Sequence, residues 1–251
     1  MITFKAYFKK EIMESKRQYK YVILAVGIIA FAILDPFMLK LLPKILEQQL
    51  KGDLSSLFVV TPKSAINSYI KNLFQIGTLF IIFTLGSNLN EEINDEKLIF
   101  PYSKGAVPAG IVLAKITHYT IVVTMLTFIG FFISSYYGSI LFQGEKLALS
   151  GILSSALLMS IYYFFNITLV TLFSSLVKKG VTAGFITLII TFLSVTLVNL
   201  NTIGNFMPYK LVQGANLFTL ENYLSTMFFS VICSIIFIII TIIKMNKVEV
   251  I

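Results

Sequence analysis

The stretch from Tyr21 to Leu42, YVILAVGIIAFAILDPFMLKLL, is long and apolar enough to decide the fold class of this chain. Its only charged residues are Asp35 and Lys40, both toward its second end. A helix needs about 20 mostly apolar residues, at about 1.5 Å of rise each, to cross the hydrocarbon core of a bilayer. The stretch therefore predicts a transmembrane helix.

Five more apolar stretches of similar length follow along the chain. They run from about Leu73 to Leu89, Ile111 to Ile133, Gly151 to Leu176, Val181 to Leu200 and Tyr223 to Ile243. Only 13% of the residues are charged, about half the share of roughly 25% in an ordinary soluble domain. The 251 residues leave only short connections between these spans. The sequence thus predicts an all-α integral membrane protein with one transmembrane domain over 1–251.

The distribution of lysine and arginine predicts the orientation of the spans, because basic residues collect on the cytoplasmic side. With both termini in the cytoplasm, the cytoplasmic segments hold 13 of the 20 basic residues. We therefore expect both ends inside, with residues 90–105 forming a cytoplasmic loop and residues 201–222 an external loop.

The first 20 residues predict an amphipathic helix at the membrane interface. At helical spacing Phe4, Phe8 and Ile12 share one face, whereas Lys9, Lys16 and Arg17 lie on the other. Such a helix would place its rings at the acyl boundary and its ammonium groups among anionic headgroups. A solvated basic tail is the alternative interpretation.

Two external segments carry local signals. In the segment before the second span, Thr61 followed by Pro62 is typical of a helix start, and this helix is expected to run into the span. In the 201–222 loop, Gly204, Pro208 and Gly214 favour either a broken helix that dips into the membrane under a cover of protein or a plain surface loop.

The sequence lacks residues that several classes of enzyme require. The sequence has no GxxxxGK[ST] phosphate loop, which predicts that this chain carries no ATPase site. His118 is its one histidine and Cys233 its one cysteine, so a histidine-rich metal site or an intrachain disulfide is excluded. The Glu91-Glu92 pair therefore lacks the histidines of an intramembrane metallopeptidase. We interpret His118 as a packing or interface residue in preference to a proton relay, and Cys233 as a packing residue.

Secondary transport would require ionisable groups near the membrane midplane, and the second to sixth spans contain none there. Asp35, beside Pro36, is expected at the external interface next to a kink, with a functional buried carboxylate as the alternative. Uncharged polar residues do occur within the spans, and most are expected to join helices by hydrogen bonds. The candidates for lining a weakly polar path are Gln75, Thr78, Asn166 and Thr187.

The cytoplasmic loop is dense in charge in an otherwise apolar chain. The segment EEINDEKLIF, from Glu91 to Phe100, predicts about three turns of helix with Pro101 as the stop. Leu98 and Ile99 form an apolar pair after the charged residues. This pattern indicates a docking site for a partner whose predicted contact residues are Glu91, Glu92, Asp95, Glu96, Lys97, Leu98 and Ile99.

The order of these features resembles the ABC-2 superfamily of ABC-transporter permease subunits. The features are the basic amphipathic helix at 1–20, the six spans, the acidic turn at Glu91 to Lys97, Pro101, the Ser103-Lys104 pair, and Lys115 at the start of span three. The segment LFSSLVKKG, Leu172 to Gly180, is similar to the basic turn that closes span four in that family. Leu98-Ile99 replaces the usual Gly-Thr, and the Arg that often follows the Pro is absent.

The resemblance implies the ABC-2 exporter fold, with 1–20 as the elbow helix and 90–105 as the coupling-helix loop. It implies two permease chains, identical or different, and two separate ATPase chains that bind ATP and Mg²⁺, so that this chain holds no cofactor. It also implies location in the bacterial cytoplasmic membrane. Nucleic acid is not an expected partner.

Few charges and many aromatic, aliphatic and hydroxyl side chains in the spans favour an amphipathic or hydrophobic substrate. Within the family, exporters of membrane-active peptides, such as phenol-soluble modulins or lantibiotics, fit this best. The alternatives are efflux of drugs, lipids or sodium ions, a peptide-binding immunity protein that does not transport, and a membrane scaffold.

Overall fold

The structure is a computed structural model that describes residues 2–50, 60–144, 147–200 and 203–247, without the side chains of residues 44 and 46–50. All regular elements in these ranges are helical. The α-helices are α1 (Ile2–Arg17), α2 (Lys20–Leu50), α3 (Pro62–Asn72), α4 (Thr78–Gly86), α5 (Asn90–Asn94), α6 (Ile99–Ser103), α7 (Pro108–Leu141), α8 (Leu149–Leu176), α9 (Gly180–Leu197), α10 (Tyr209–Leu217) and α11 (Leu224–Asn246). A π-helical segment, Leu73–Gly77, joins α3 to α4, and we call it the π turn.

Six helical segments of the described residues are long and apolar enough to cross a membrane. They are Lys20–Pro43, Pro62–Asn94, Pro108–Leu141, Leu149–Leu176, Gly180–Leu197 and Leu224–Asn246. The prediction of a helical fold with six helices long and apolar enough to span a membrane is therefore confirmed. The main differences are that the second span begins at Pro62 instead of about Leu73 and that the third continues to Leu141.

The second span begins where its sequence signal lies. The Thr61 hydroxyl accepts a hydrogen bond from Ser64 N (3.2 Å), and Ser64 Oγ accepts one from Thr61 N (2.8 Å). This reciprocal cap satisfies two backbone donors that would otherwise be free at the helix start, and Pro62 needs no such partner. The predicted start at Thr61 and Pro62, with continuation into the span, is confirmed.

Helix α8 is the centre of the bundle. Its most apolar 18-residue window is 78% buried, and it packs against α7, α9, α10 and α11. Its hydroxyl groups largely bond to the backbone of their own helix, as Ser160 does to Ala156 O (2.7 Å) and Thr171 to Ile167 O (2.6 Å). Because these groups are satisfied within the helix, α8 can be surrounded by protein despite its polar residues.

Helix α1 lies against the protein along the start of α7. It is separated from α2 by Tyr19, whose φ of 56° lies in the left-handed region and ends the helix. Near its other end, the Thr3 hydroxyl accepts a hydrogen bond from Val107 N (3.3 Å). Residues 2–17 are thus helical as predicted, and this helix packs against the bundle.

Glycines allow α4 and α9 to approach closely. A Cβ atom placed on Gly86 would lie 2.6 Å from the Gly180 carbonyl oxygen, and one on Gly180 would lie 2.7 Å from Ser87 Cα. A side chain at either position would force the backbones apart, so the pair fixes the distance between these helices.

Part of the predicted 201–222 loop is folded and covered by protein. Helix α10 buries Leu211 and Val212, and Ser155 of α8 donates a hydrogen bond to Ala215 O (2.6 Å). Protein cover is what the broken-helix interpretation requires. That this segment dips into the membrane stays a prediction, and residues 201 and 202 lie outside the described ranges.

Asp35 lies inside the bundle, with only 6% of its surface exposed. Asn72 at the end of α3 donates a hydrogen bond from Nδ2 to Asp35 Oδ1 (2.7 Å). The position of Asp35 at the external interface stays a prediction, and the structure shows that protein covers its side chain. The cause is the packing of α3 onto α2, which covers the residue next to Pro36.

Candidate functional site

A buried ionic cluster joins three parts of the chain that are distant in sequence. Lys115 of α7 is fully buried, and its Nζ lies 2.6 Å from Glu11 Oε1 of α1 and 3.0 Å from Glu92 Oε1 of α5. Lys10 also pairs with Glu92, and Asn88 Oδ1 accepts from Lys115 (3.4 Å). We call Lys10, Glu11, Glu92 and Lys115 the ionic cluster, and the end of the bundle that holds it the α1 end.

The cluster balances two carboxylates with two ammonium groups. Buried ions are tolerated where opposite charges and hydrogen bonds satisfy them, since removal from water alone costs several kcal/mol per ion. Glu11 meets this condition fully, because its second oxygen accepts from Tyr119 OH (3.2 Å). Glu92 Oε2 has no hydrogen-bond partner among the described residues, which makes Glu92 the less satisfied of the two carboxylates.

The stripe of α1 that faces the bundle consists of Tyr7, Glu11 and Ser15, spaced four residues apart. Burial, followed by the negative charge of Glu92, raises the pKa of Tyr7 well above its usual value, so this residue stays a neutral phenol. The predicted membrane-facing stripe of Phe4, Phe8 and Ile12 is only half-buried.

The aromatic residues of α1 contact protein, not lipid alone. Phe8 stacks on Phe4 at 5.8 Å between ring centres and meets the edge of His118 at 5.5 Å. His118 also lies within hydrogen-bond distance of Ser15 Oγ (3.3 Å) and Tyr21 OH (3.2 Å). These contacts fit the interpretation of His118 as a packing residue. The predicted basic residues Lys9, Lys16 and Arg17 are exposed.

The charged loop folds differently from the prediction. The expected three-turn helix is wrong, because α5 and α6 are two short helices of 5 residues each. The turn between them contains Glu96 with a φ of 54°, and a left-handed residue interrupts a regular helix. Pro101 lies within α6 and does not act as the stop.

Burial separates the predicted contact residues of this loop into two groups. Glu92 and Leu98 are 4% and 2% exposed, so both hold the loop onto the bundle and are not free to contact a partner. The exposed group comprises Glu91, Asp95, Glu96, Lys97 and Ile99. Phe100, which ends the predicted segment but was not among the predicted contact residues, is 66% exposed, and Lys104 Nζ lies 4.3 Å from its ring centre.

We call Glu91, Asp95, Glu96, Lys97, Ile99 and Phe100 the loop surface. Its charges are held loosely, since the Lys97 to Asp95 pair (2.7 Å between Nζ and Oδ2) is more than half exposed on both sides. The hydrogen bond to Asp95 raises the pKa of Lys97. Beside the loop surface, a cleft of about 600 Å³ separates the loop from α1, and its walls include Glu14, Arg17 and Lys20.

Two of the four candidates for a polar path, Thr78 and Asn166, make hydrogen bonds between helices near the π turn. The Leu73 carbonyl oxygen accepts from Tyr163 OH (2.8 Å), and Thr78 Oγ1 lies 3.4 Å from both this oxygen and Tyr162 OH. One helical turn away, Asn166 Oδ1 accepts from Thr191 Oγ1 (2.7 Å).

Thr78, Asn166 and Thr187 are all buried, and Thr187 donates to Ala183 O (2.8 Å). They therefore face protein in this conformation. Gln75 is the exposed member of the four. The path itself stays a prediction.

Two further cavities lie away from the α1 end. One of about 720 Å³ lies between α2, α3, α7 and α8 and is lined by Ile66, Phe132, Tyr136 and Tyr137 among others. A smaller one of about 290 Å³ lies beside Cys233 and Phe229 of α11. The linings of both are mainly aromatic and aliphatic.

Comparison with known proteins gives no relative. No protein-family model, no curated protein and no solved structure matches this chain. Any functional assignment therefore rests on the chain's own residues.

Proposed function

We propose that this chain is the membrane subunit of an ATP-driven exporter and that a separate ATPase docks on the loop surface. One observation carries the proposal: the loop surface has exposed charges and an exposed aromatic ring, and buried residues of the same loop attach it to the bundle. Leu98 and Glu92 fix it to the bundle, and Glu92 links it through Lys115 to α1 and α7. Displacement of the loop by a partner would then move transmembrane helices, which a freely solvated loop could not do.

The loop surface has the anatomy of a protein interface. Aromatic residues are enriched at the centres of such interfaces, with charges at their rims. Phe100 and Ile99 would form the apolar centre, and Asp95, Glu96 and Lys97 the rim. In this proposal the ATPase holds ATP and Mg²⁺, and nucleotide-driven closure of two ATPase chains moves two copies of this subunit as rigid bodies.

An amphipathic or hydrophobic substrate, with membrane-active peptides as the first choice, fits the mainly apolar linings of the cavities of about 720 and 290 Å³. The proposed location is the bacterial cytoplasmic membrane, with the α1 end in the cytoplasm. This orientation places the loop surface where a soluble ATPase can reach it.

The test is co-purification of the ATPase with tagged variants of this chain. Phe100→Asp is expected to abolish recovery of the ATPase while the chain still inserts and folds, because Phe100 is exposed in the free subunit. Phe206→Asp is the matched control, since Phe206 is also an exposed aromatic residue but lies in the 201–222 segment. Recovery of the ATPase with Phe100→Asp at the level of the parent would contradict the docking role.

Reconstitution in lipid vesicles tests the transport step. Purified chain alone is expected to hydrolyse no ATP, and the complex is expected to hydrolyse ATP faster with an amphipathic peptide than with a sugar. ATP hydrolysis by the chain alone at the rate of the complex would contradict the proposal that a separate chain hydrolyses ATP. Peptide binding without an ATPase partner would favour the immunity-protein alternative.

A further inference from the structure

The second span is interrupted at its middle by the π turn. There the Thr78 backbone N–H donates to Leu73 O, five residues back, instead of the four-residue spacing of an α-helix. A π turn contains one residue more than the α-helical turn it replaces, and such insertions occur often at functional sites. The π turn therefore marks a place where the span has a second regular conformation available.

The two halves of the span make their main contacts with different helices, although α2 packs against both halves and against the π turn. The outer half, α3, is fixed to α7 by the Tyr69 ring against Phe131 (5.3 Å between centres) and to α2 by Asn72 and Asp35. The inner half, α4 with the residues up to Asn90, is fixed to α8, where Ser174 Oγ accepts from Leu89 N (3.0 Å), and to α9 at Gly86. The π turn lies between these two sets of contacts, so motion of α3 relative to α4 would change its geometry.

A single side chain from α8 stabilises the π conformation. Tyr163 is fully buried, and its hydroxyl donates to Leu73 O. With Thr78 N as the other main donor, both lone pairs of that carbonyl are used. Gly77 leaves room for this hydroxyl, because a Cβ on Gly77 would lie 2.8 Å from it.

We propose that the π turn is a hinge that converts between π and α geometry and that Tyr163 is the positioning residue that holds it in the π state. If the π turn becomes α-helical at constant chain length, one half of the second span shifts by one residue relative to the other half. This shift is about 100° of rotation and 1.5 Å of rise. In transport, which rests on the proposed function, this shift turns movement of the loop surface into rotation of α3. The hinge itself is a property of the isolated chain.

The test measures the distance between spin labels at Lys71 and Glu91, both exposed, in a chain with Cys233→Ser. Tyr163→Phe removes the hydroxyl that holds the π state and is expected to raise the population of a second distance about 5- to 30-fold. Tyr162→Phe is the matched control, since that neighbouring hydroxyl contacts Thr78 Oγ1 and not Leu73 O. It should give the distances of the parent.

Deletion of Gln75 is a second test, because it removes the extra residue of the π turn and so removes the hinge. Removing one exposed residue from the π turn makes the segment α-helical while both halves keep their observed positions. The deletion should give the distance of the parent, suppress the second distance in the Tyr163→Phe background, and abolish transport with ATPase docking intact. A parental distance distribution for Tyr163→Phe, or full transport by the deletion variant, overturns the hinge. Because the labels report on the isolated chain, they also test the hinge if no ATPase binds.

Discussion

Glu11 and Lys115 are 104 residues apart in sequence, and their side chains meet at 2.6 Å between Oε1 and Nζ in the interior of the α1 end. The pair fastens α1 to α7, and Glu92 on the other side of the same ammonium group fastens the loop. Helix α1 is thus connected to the loop through Lys115 and also directly, through the pair of Lys10 with Glu92. If a partner moves the loop, α1 and α7 move with it.

Replacement of Lys115 by Met should destabilise the folded chain strongly. It leaves the Glu11 and Glu92 carboxylates buried without their shared partner, a loss of about 3 to 5 kcal/mol. Lys10→Met should cost about 1 kcal/mol or less, because the Lys10 side chain is 38% exposed and acts as a partly solvated pair. Unfolding midpoints in detergent measure both variants. Equal midpoints for the two would show that the cluster is not the buried anchor described above.

Charge reversal in the loop should have two different effects. Asp95→Lys changes an exposed charge, so it should weaken ATPase recovery in a salt-dependent way and leave the unfolding midpoint unchanged. Glu92→Lys introduces a third ammonium group beside Lys10 and Lys115 and should lower the midpoint itself. Co-purification across a salt series, combined with thermal unfolding of the free chain, separates these effects. A normal midpoint for Glu92→Lys would contradict its burial.

The sequence predicts the spans well because their signal is local. Twenty apolar residues must cross the bilayer whatever their neighbours are, and the Thr61 cap depends on residues three positions apart. The contact face of α1 is different, because it depends on a distant partner. Hydrophobicity favoured Phe4 and Phe8 as a membrane-facing stripe, whereas Glu11 is buried in the protein because Lys115 lies opposite it.

The structure of the charged loop also depends on contacts that the local sequence does not reveal. Leu98 and Ile99 are adjacent apolar residues, yet Leu98 packs into the bundle and Ile99 is exposed. Both follow Glu96, whose left-handed conformation separates α5 from α6 and was not predicted. A usable signal for the ionic cluster was present nonetheless. Glu11 follows the aromatic stripe of α1, and Lys115 is the lone charge in the apolar third span. Each charge in an apolar setting requires a partner.

Phe8→Ser should destabilise the chain even in detergent, where no bilayer is present. The ring packs against Phe4 and His118, and loss of a buried Phe costs at most about 1.5 to 3 kcal/mol here, since the residue is half-buried. Met13→Ser is the control on the same helix, because Met13 is 52% exposed. It should leave the midpoint unchanged. An unchanged midpoint for Phe8→Ser would indicate that the Phe8 ring does not hold α1 on the bundle.

Gly86→Ala should force α4 away from α9. The added methyl group would lie 2.6 Å from Gly180 O, and overpacking of this kind costs about 1 to 3 kcal/mol. Gly105→Ala serves as control, since nothing lies within 4 Å of a Cβ there and only the positive φ of 76° opposes the change. Cross-linking of cysteines placed on α4 and α9 would report the separation. Unchanged cross-linking in Gly86→Ala would show that the helices are not held by this contact.

The Asp35 and Asn72 pair can be tested by a double-mutant cycle. Asp35 Oδ1 accepts from Asn72, whereas Oδ2 has no hydrogen-bond partner among the described residues. Asn72→Ala leaves the buried carboxyl group without its donor and should cost about 1.5 to 3 kcal/mol, the range for a hydrogen bond to a charged group. Asp35→Asn removes the charge but keeps the shape, so it should be neutral or stabilising. In the Asp35→Asn background, Asn72→Ala should cost only about 1 kcal/mol, as for a neutral pair.

Unfolding free energies of the four proteins in detergent give the coupling energy between Asp35 and Asn72. A loss on Asp35→Asn as large as that on Asn72→Ala would instead show that the charge itself is needed, and would favour the functional carboxylate that the sequence left as the alternative.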